Sequence, residues 1–110
     1  MIRQGELGFI DFDPSAGHEP TKRRPALVIS VDGYNAFLSN LIVVCPITAT
    51  PSTYPLHVPV GNGLPVHGYI CVEQLAAVDP VARCYESTGV LAGEETMGEV
   101  LELVGSIFGL

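Results

Sequence analysis

The chain contains no tryptophan, and only five of its 110 residues are Lys or Arg. With a formal net charge of −7, that scarcity of positive charge argues against nonspecific nucleic-acid binding, which rests on phosphate neutralisation. Cysteines are also few. Cys45, Cys71 and Cys84 form an odd, widely spaced set, which argues against a disulfide framework and a Cys-x-x-Cys zinc site. Each lies in an apolar run and reads as a core thiol. No apolar run reaches the length of a membrane-spanning helix, so no membrane association is expected. No apolar secretion segment follows Arg3, so a cytoplasmic location is expected. No Gly-x-Ser-x-Gly elbow occurs, which sets aside a nucleophilic hydrolase.

Apolar residues are plentiful, at 47% of the chain, enough for residues 1–110 to form a single domain with its own core. A domain this small would gain from pairing with a second copy. The charge is unevenly placed. Residues 1–60 carry four basic against five acidic residues, whereas residues 61–110 carry only Arg83 against seven acidic residues. An anion-binding surface therefore belongs to the first half. There Lys22, Arg23 and Arg24 form the one basic cluster, just downstream of His18 and Glu19. The cluster runs straight into Pro25-Ala26-Leu27-Val28-Ile29, whose β-branched residues predict a strand that would hold Arg24 rigidly at its mouth.

Glycines and prolines punctuate short apolar segments, a pattern that predicts a mainly β, strongly curved sheet or small barrel. Strands are expected over residues 5–12, 25–31, 41–48, 54–60 and 66–73, with a short one over 82–85. Pro25 fits only at a strand start or edge. Asp32 is placed to cap one helical turn over 34–37. Residues 41–48 are apolar throughout and should be buried on both faces. Residues 74–80 should bend away from the sheet. The end differs: Met97, Val100, Leu101, Val104, Ile107 and Phe108 recur at helical spacing, with Glu94 and Glu95 in the first turn, which predicts an amphipathic α-helix packed on the sheet. His57 and His67 share no metal-ligand spacing and read as structural.

Gly5-Glu6, the Asp13-Pro14 break, Gly17-His18-Glu19, Arg24-Pro25-Ala26-Leu27-Val28, Pro46-Ile47-Thr48 and Glu73-Gln74 occur in one order across most of the chain. In this the sequence resembles the MazF/PemK/Kid family of toxin endoribonucleases. The resemblance implies an α+β fold, a small SH3-like, PemK-type β-barrel with a C-terminal helix, working as a homodimer. It implies metal-independent, sequence-specific cutting of single-stranded RNA, with growth arrest through blocked translation, and no cofactor. It also implies a MazE-like antitoxin partner and contact with promoter DNA only through the antitoxin complex.

Cutting RNA without a metal uses the adjacent 2′-hydroxyl as nucleophile and leaves a 2′,3′-cyclic phosphate and a 5′-hydroxyl. A base must accept the 2′ proton, donors must hold the phosphoryl oxygens, and the 5′-oxygen must leave. The guanidinium of Arg24 suits the phosphate because it presents a planar fork of donors. The Thr48 hydroxyl is a second donor. The resemblance brings His18 and Glu73 in for proton transfer. Some family members carry an arginine two residues before that acid, and here the position is Cys71, which weakens Glu73 as a catalytic group and leaves it a loop-holding role as the alternative. RNA contacts are expected from Glu19, Lys22, Arg23, Ser30, Asn35 and Gln74. With so few basic residues, base stacking should matter, and Tyr34, Phe37 and Tyr54 are the available platforms.

Two other readings compete. A CcdB-like, gyrase-poisoning toxin shares the fold, but that family closes with a tryptophan-bearing tail, whereas this chain ends Ile107-Phe108-Gly109-Leu110. A catalytically inactive binding module is the other, favoured by Cys71.

Overall fold

A computed structural model of the chain describes residues 1–12, 23–38 and 40–110. Seven strands are present: β1 (Glu6–Asp11), β2 (Arg23–Val28), β3 (Ile42–Thr48), β4 (His57–Pro59), β5 (Tyr69–Cys71), β6 (Ala76–Val78) and β7 (Glu86–Leu91). One long helix follows, α1 (Glu94–Ile107). The ladder runs β4-β5-β3-β2-β1-β7, with β6 also on β3, and every pairing is antiparallel. Among the described residues no pairing joins β7 to β4, so the expected barrel is an unclosed sheet.

β3 is the hub. Its first residues pair with β6, its middle with β2, and Ile47 and Thr48 with β5. This is the strand whose unbroken apolar run predicts burial on both faces, and Ile42, Val44, Cys45 and Ile47 are almost wholly buried. Alternation along the strands separates two cores. One face holds Leu7, Leu27, Cys45, Ile47, Val58, Ile70 and Val72, covered by Val100 of α1. The other holds Ile10, Ala26, Val28, Ile42, Val44 and Val78, closed by Ile2, Phe12 and Tyr85.

Several boundaries depart from expectation. β2 starts two residues early, so Arg23 and Arg24 are strand residues. Pro25 is tolerated because pairing with β3 begins only at Ala26, which leaves that end of β2 an edge on the β3 side. The strands expected over 54–60 and 66–73 shrink to three residues each, and the chain after Cys71 turns into a 3₁₀ segment, Val72–Gln74. Residues 76–78 return to pair with β3 rather than bending away. Most of 82–85 falls in a turn over residues 80–84, and the strand lies at 86–91 instead, where Ser, Thr and Gly hid it. Asp32 accepts the backbone N–H of Gln4 at 2.7 Å, tying down the N-terminal segment. In α1, Val100 is buried and Met97, Leu103 and Val104 pack beside it, but Leu101, Ile107 and Phe108 are exposed. The helix lies mainly against β4 and the 72–74 turn, so just part of its apolar stripe finds a surface. Cys84 is exposed rather than a core thiol, in a turn at φ 53°. No described helix is long and apolar enough to cross a membrane.

Candidate active site on one face of the sheet

Register places the site before any distance is measured. Ala26 pairs with Pro46, and the antiparallel count carried two residues on brings Arg24 level with Thr48. Thr48 pairs with Tyr69, Pro59 with Tyr69, and His57 with Cys71. Side chains alternate, so Arg24, Thr48, Tyr69, Cys71, His57 and Pro59 share one face. It is the face opposite Ile47, Val58 and Ile70, which fill the α1-covered core.

Arg24 lies 6.0 Å over the ring of Phe12 and forms no ion pair among the described residues. Its charge reaches the sulfur of Cys71. Burial pushes that thiol up, the Glu73 carboxylate adds to the rise, and Arg24 and a backbone hydrogen bond from Thr48 oppose it. Cys71 is therefore the point at which Arg24, Thr48 and Glu73 are all felt. The Thr48 hydroxyl oxygen accepts the N–H of Thr50 at 3.2 Å, which leaves its O–H to donate. Gly68 makes the close approach possible: a Cβ there would sit 2.1 Å from the Thr48 carbonyl oxygen, and its φ of +125° is glycine territory.

His57 completes the cluster. Its Nε2 is 2.9 Å from Glu73 Oε2, and its Nδ1 is 2.8 Å from Ser52 Oγ. The Tyr54 ring packs edge-on with centroids 5.1 Å apart, and the His57 N–H donates to the Tyr54 carbonyl at 2.9 Å. The 52–57 turn thus fixes the imidazole from behind. Sequence reading assigned His57 a structural role and missed this pairing. The signal was present in the alternation of Tyr54, Leu56 and Val58 with His57, which marks His57 as facing away from the core, but nothing in the spacing joins it to Glu73, 16 residues on.

The other expected residues divide. His18, Glu19 and Lys22 lie outside the described residues. Arg23 is held by Asp11 at 3.1 Å and Glu86 at 2.5 Å, which ties β2 through β1 to β7. Ser30 donates to Asn35 Oδ1 and accepts the Val43 N–H at 3.0 Å, and Asn35 Nδ2 donates to the carbonyls of Ser30 and Ile2. That network pins the far end of β2, six residues from Arg24. Gln74 is exposed beside Glu73. Phe37 and Tyr54 are exposed, as stacking requires, whereas Tyr34 is partly covered. A cleft of about 320 Å³ lined by Pro59, His67, Gly68 and Tyr69 continues the site face. A larger one of about 500 Å³ lies elsewhere, and the carboxylate lining it, Glu6, is engaged by the Tyr85 hydroxyl at 2.6 Å.

Comparison with known proteins agrees with this architecture. Endoribonuclease toxin ChpB of Escherichia coli (strain K12) is 35% identical over 108 residues, 91% of this chain and 88% of ChpB. Endoribonuclease toxin MazF of the same strain is 33% identical over 91 residues, 83% of this chain and 80% of MazF. A crystal structure of MazE–MazF (form II) from Deinococcus radiodurans superposes with a TM-score of 0.90 at 33% identity, covering 99% of this chain and 96% of that one. The family described as PemK-like, MazF-like toxin of type II toxin–antitoxin system matches residues 3–108, and the chain belongs to it.

Proposed function

We propose that the protein is an endoribonuclease toxin that cuts single-stranded RNA without a metal cofactor. The carrying observation is one face of the sheet that carries both Arg24, a guanidinium with no carboxylate partner among the described residues, and a hydrogen-bonded His57–Glu73 pair. Family membership and endoribonuclease relatives support the same reading. Arg24 and the Thr48 hydroxyl hold the scissile phosphate and stabilise charge as it develops. The His57–Glu73 pair accepts the 2′-hydroxyl proton as that oxygen attacks phosphorus, and a proton returns to the 5′-oxygen as its bond breaks. The products are a 2′,3′-cyclic phosphate and a 5′-hydroxyl. The family resemblance assigns His18 to proton transfer and Glu19 and Lys22 to RNA contact, and all three lie outside the described residues. Glu73 regains a catalytic role because His57, rather than an arginine at position 71, is its partner.

Tyr54 stacks a base, and the cleft beside Tyr69 and His67 receives another. With only five basic residues, few phosphates are contacted, so binding is weak, short in footprint and shallow in its salt dependence. The toxin works as a homodimer; it is also blocked by an antitoxin, a partner supported by the crystal structures of MazE–MazF from Deinococcus radiodurans. The test is incubation of purified protein with mixed-sequence RNA in EDTA, followed by mapping of the ends. Cyclic-phosphate ends that disappear in Arg24→Ala support the reading; intact RNA from a folded, antitoxin-free sample overturns it. Light scattering at micromolar concentration should give twice the monomer mass.

A further inference from the structure

His57, Cys71 and Glu73 bring nitrogen, sulfur and oxygen donors to one point. His57 and Cys71 are direct cross-strand partners in β4 and β5, and the turn after Cys71 carries Glu73 back over the pair. One donor atom from each lies within 4.8 Å of the other two. No other set of three His, Cys, Asp or Glu donors comes together in this way among the described residues.

The donor set selects the ion. Magnesium and calcium prefer oxygen ligands, whereas an imidazole, a thiolate and a carboxylate together suit zinc. Tetrahedral zinc, with bonds of about 2.0–2.3 Å, separates its donors by about 3.3–3.5 Å. The His57–Glu73 contact of 2.9 Å must open by a few tenths of an ångström, and the sulfur must close by about 1.5 Å at most. The ring is already oriented, because Ser52 holds Nδ1 and leaves Nε2 facing the carboxylate. Charge is also balanced. A thiolate and a carboxylate cancel the two charges of the ion, so neighbouring Arg24 meets no net cation.

We propose that His57, Cys71 and Glu73 bind a zinc ion, leaving a fourth position for water. Binding releases the Cys71 thiol proton to solvent. The single imidazole proton then resides on Nδ1 and is donated to Ser52 Oγ. Resting on the endoribonuclease reading, the bound ion engages the pair that would otherwise move protons, so zinc inhibits cutting.

Calorimetric titration of metal-free, full-length protein with zinc chloride, in buffers of different ionisation enthalpy, tests the site without RNA. One ion per chain and about one proton released per ion are expected. His57→Gln and Cys71→Ser should each weaken binding roughly tenfold or more, and Ser52→Ala, which keeps all three donors, roughly tenfold. Cys84→Ser, removing the exposed thiol, should leave the affinity unchanged. Circular dichroism checks that each variant is folded, and cobalt(II) in place of zinc gives a thiolate charge-transfer band that Cys71→Ser abolishes. Absence of saturable binding, or an affinity indifferent to both His57→Gln and Cys71→Ser, overturns the site. RNA cutting that continues unchanged at saturating zinc overturns the inhibition. RNA that stays intact in EDTA overturns the enzymatic reading while leaving the zinc titration to judge the site.

Discussion

Arg23 and Arg24 are neighbours in the sequence and opposites in the fold. Both sit at the start of β2, but strand alternation sends them to different faces. Arg23 is caught between the carboxylates of Asp11 and Glu86 and clips three strands together. Arg24 rests over Phe12 beside a thiol, with no acid bound to it among the described residues. In a chain this acidic, a positive charge stays available to a ligand only where the local acids have been kept on another face. Position in the pleat, rather than membership of a basic cluster, separates a structural arginine from a candidate phosphate holder.

The sharpest way to break that contrast is substitution of each in turn. Arg24→Ala should lower the rate of RNA cutting by about 10²–10³-fold, measured as single-turnover cleavage, because a preorganised donor to developing charge is lost. A loss as large in Arg23→Ala would erase the distinction. His57→Gln follows, with a fall of about 10²-fold, since glutamine keeps a hydrogen bond to Glu73 but moves no proton. Gly68→Ala should cost a few kcal/mol of stability in urea unfolding, roughly 2–4, because its methyl group collides with the Thr48 carbonyl and its backbone is held at positive φ.

Smaller effects concern the supporting structure. Burial, with the nearby Cys71 and Glu73 adding to it, pushes the Cys45 thiol up from its ordinary 9.0 to about 12. The unfolded chain therefore ionises this thiol first. Its stabilising contribution is full below pH 9.0 and is lost as pH rises through about 12, with a slope of up to about 1.4 kcal/mol per pH unit. Cys45→Ala should flatten that decline in unfolding curves recorded across the window. Tyr85, also raised by burial and by Glu6, continues to contribute to it. Least of all, Arg23→Ala should cost about 0.5–1 kcal/mol, because its ion pairs are partly exposed, while cutting stays within a few-fold.

Much of the sheet was legible in the residues. β1 and β3 fall close to their expected places because long apolar runs have few alternative readings. The terminal helix is also readable, although only half of its stripe is covered. The short strands were not. β5 and β6 owe their pairing to β3 rather than to their own three residues, and β7 is too polar to announce itself. Of the site, Arg24 and Thr48 were accessible through the family resemblance. Register explains why they belong together, and register is a property of pairing rather than of sequence. His57 was lost for the same reason: its partners are supplied by a hairpin and a turn that no local spacing encodes. Ser30 and Asn35, read as RNA contacts, have their polar groups engaged in fixing the β2–β3 connection.

The ladder around β3 also sets an order of assembly. All three of its strand partners, β2, β5 and β6, end by residue 78. A chain emerging from the ribosome can therefore complete these ladders, and align Arg24, Thr48, His57, Cys71 and Glu73, before α1 leaves the exit tunnel. What it cannot yet do is cover Leu27, Ile47, Val58 and Ile70, which wait for Val100. The final helix thus acts as a late seal: the candidate site face would be drawn first, and the molecule would become durable only once its last segment had folded over the opposite side.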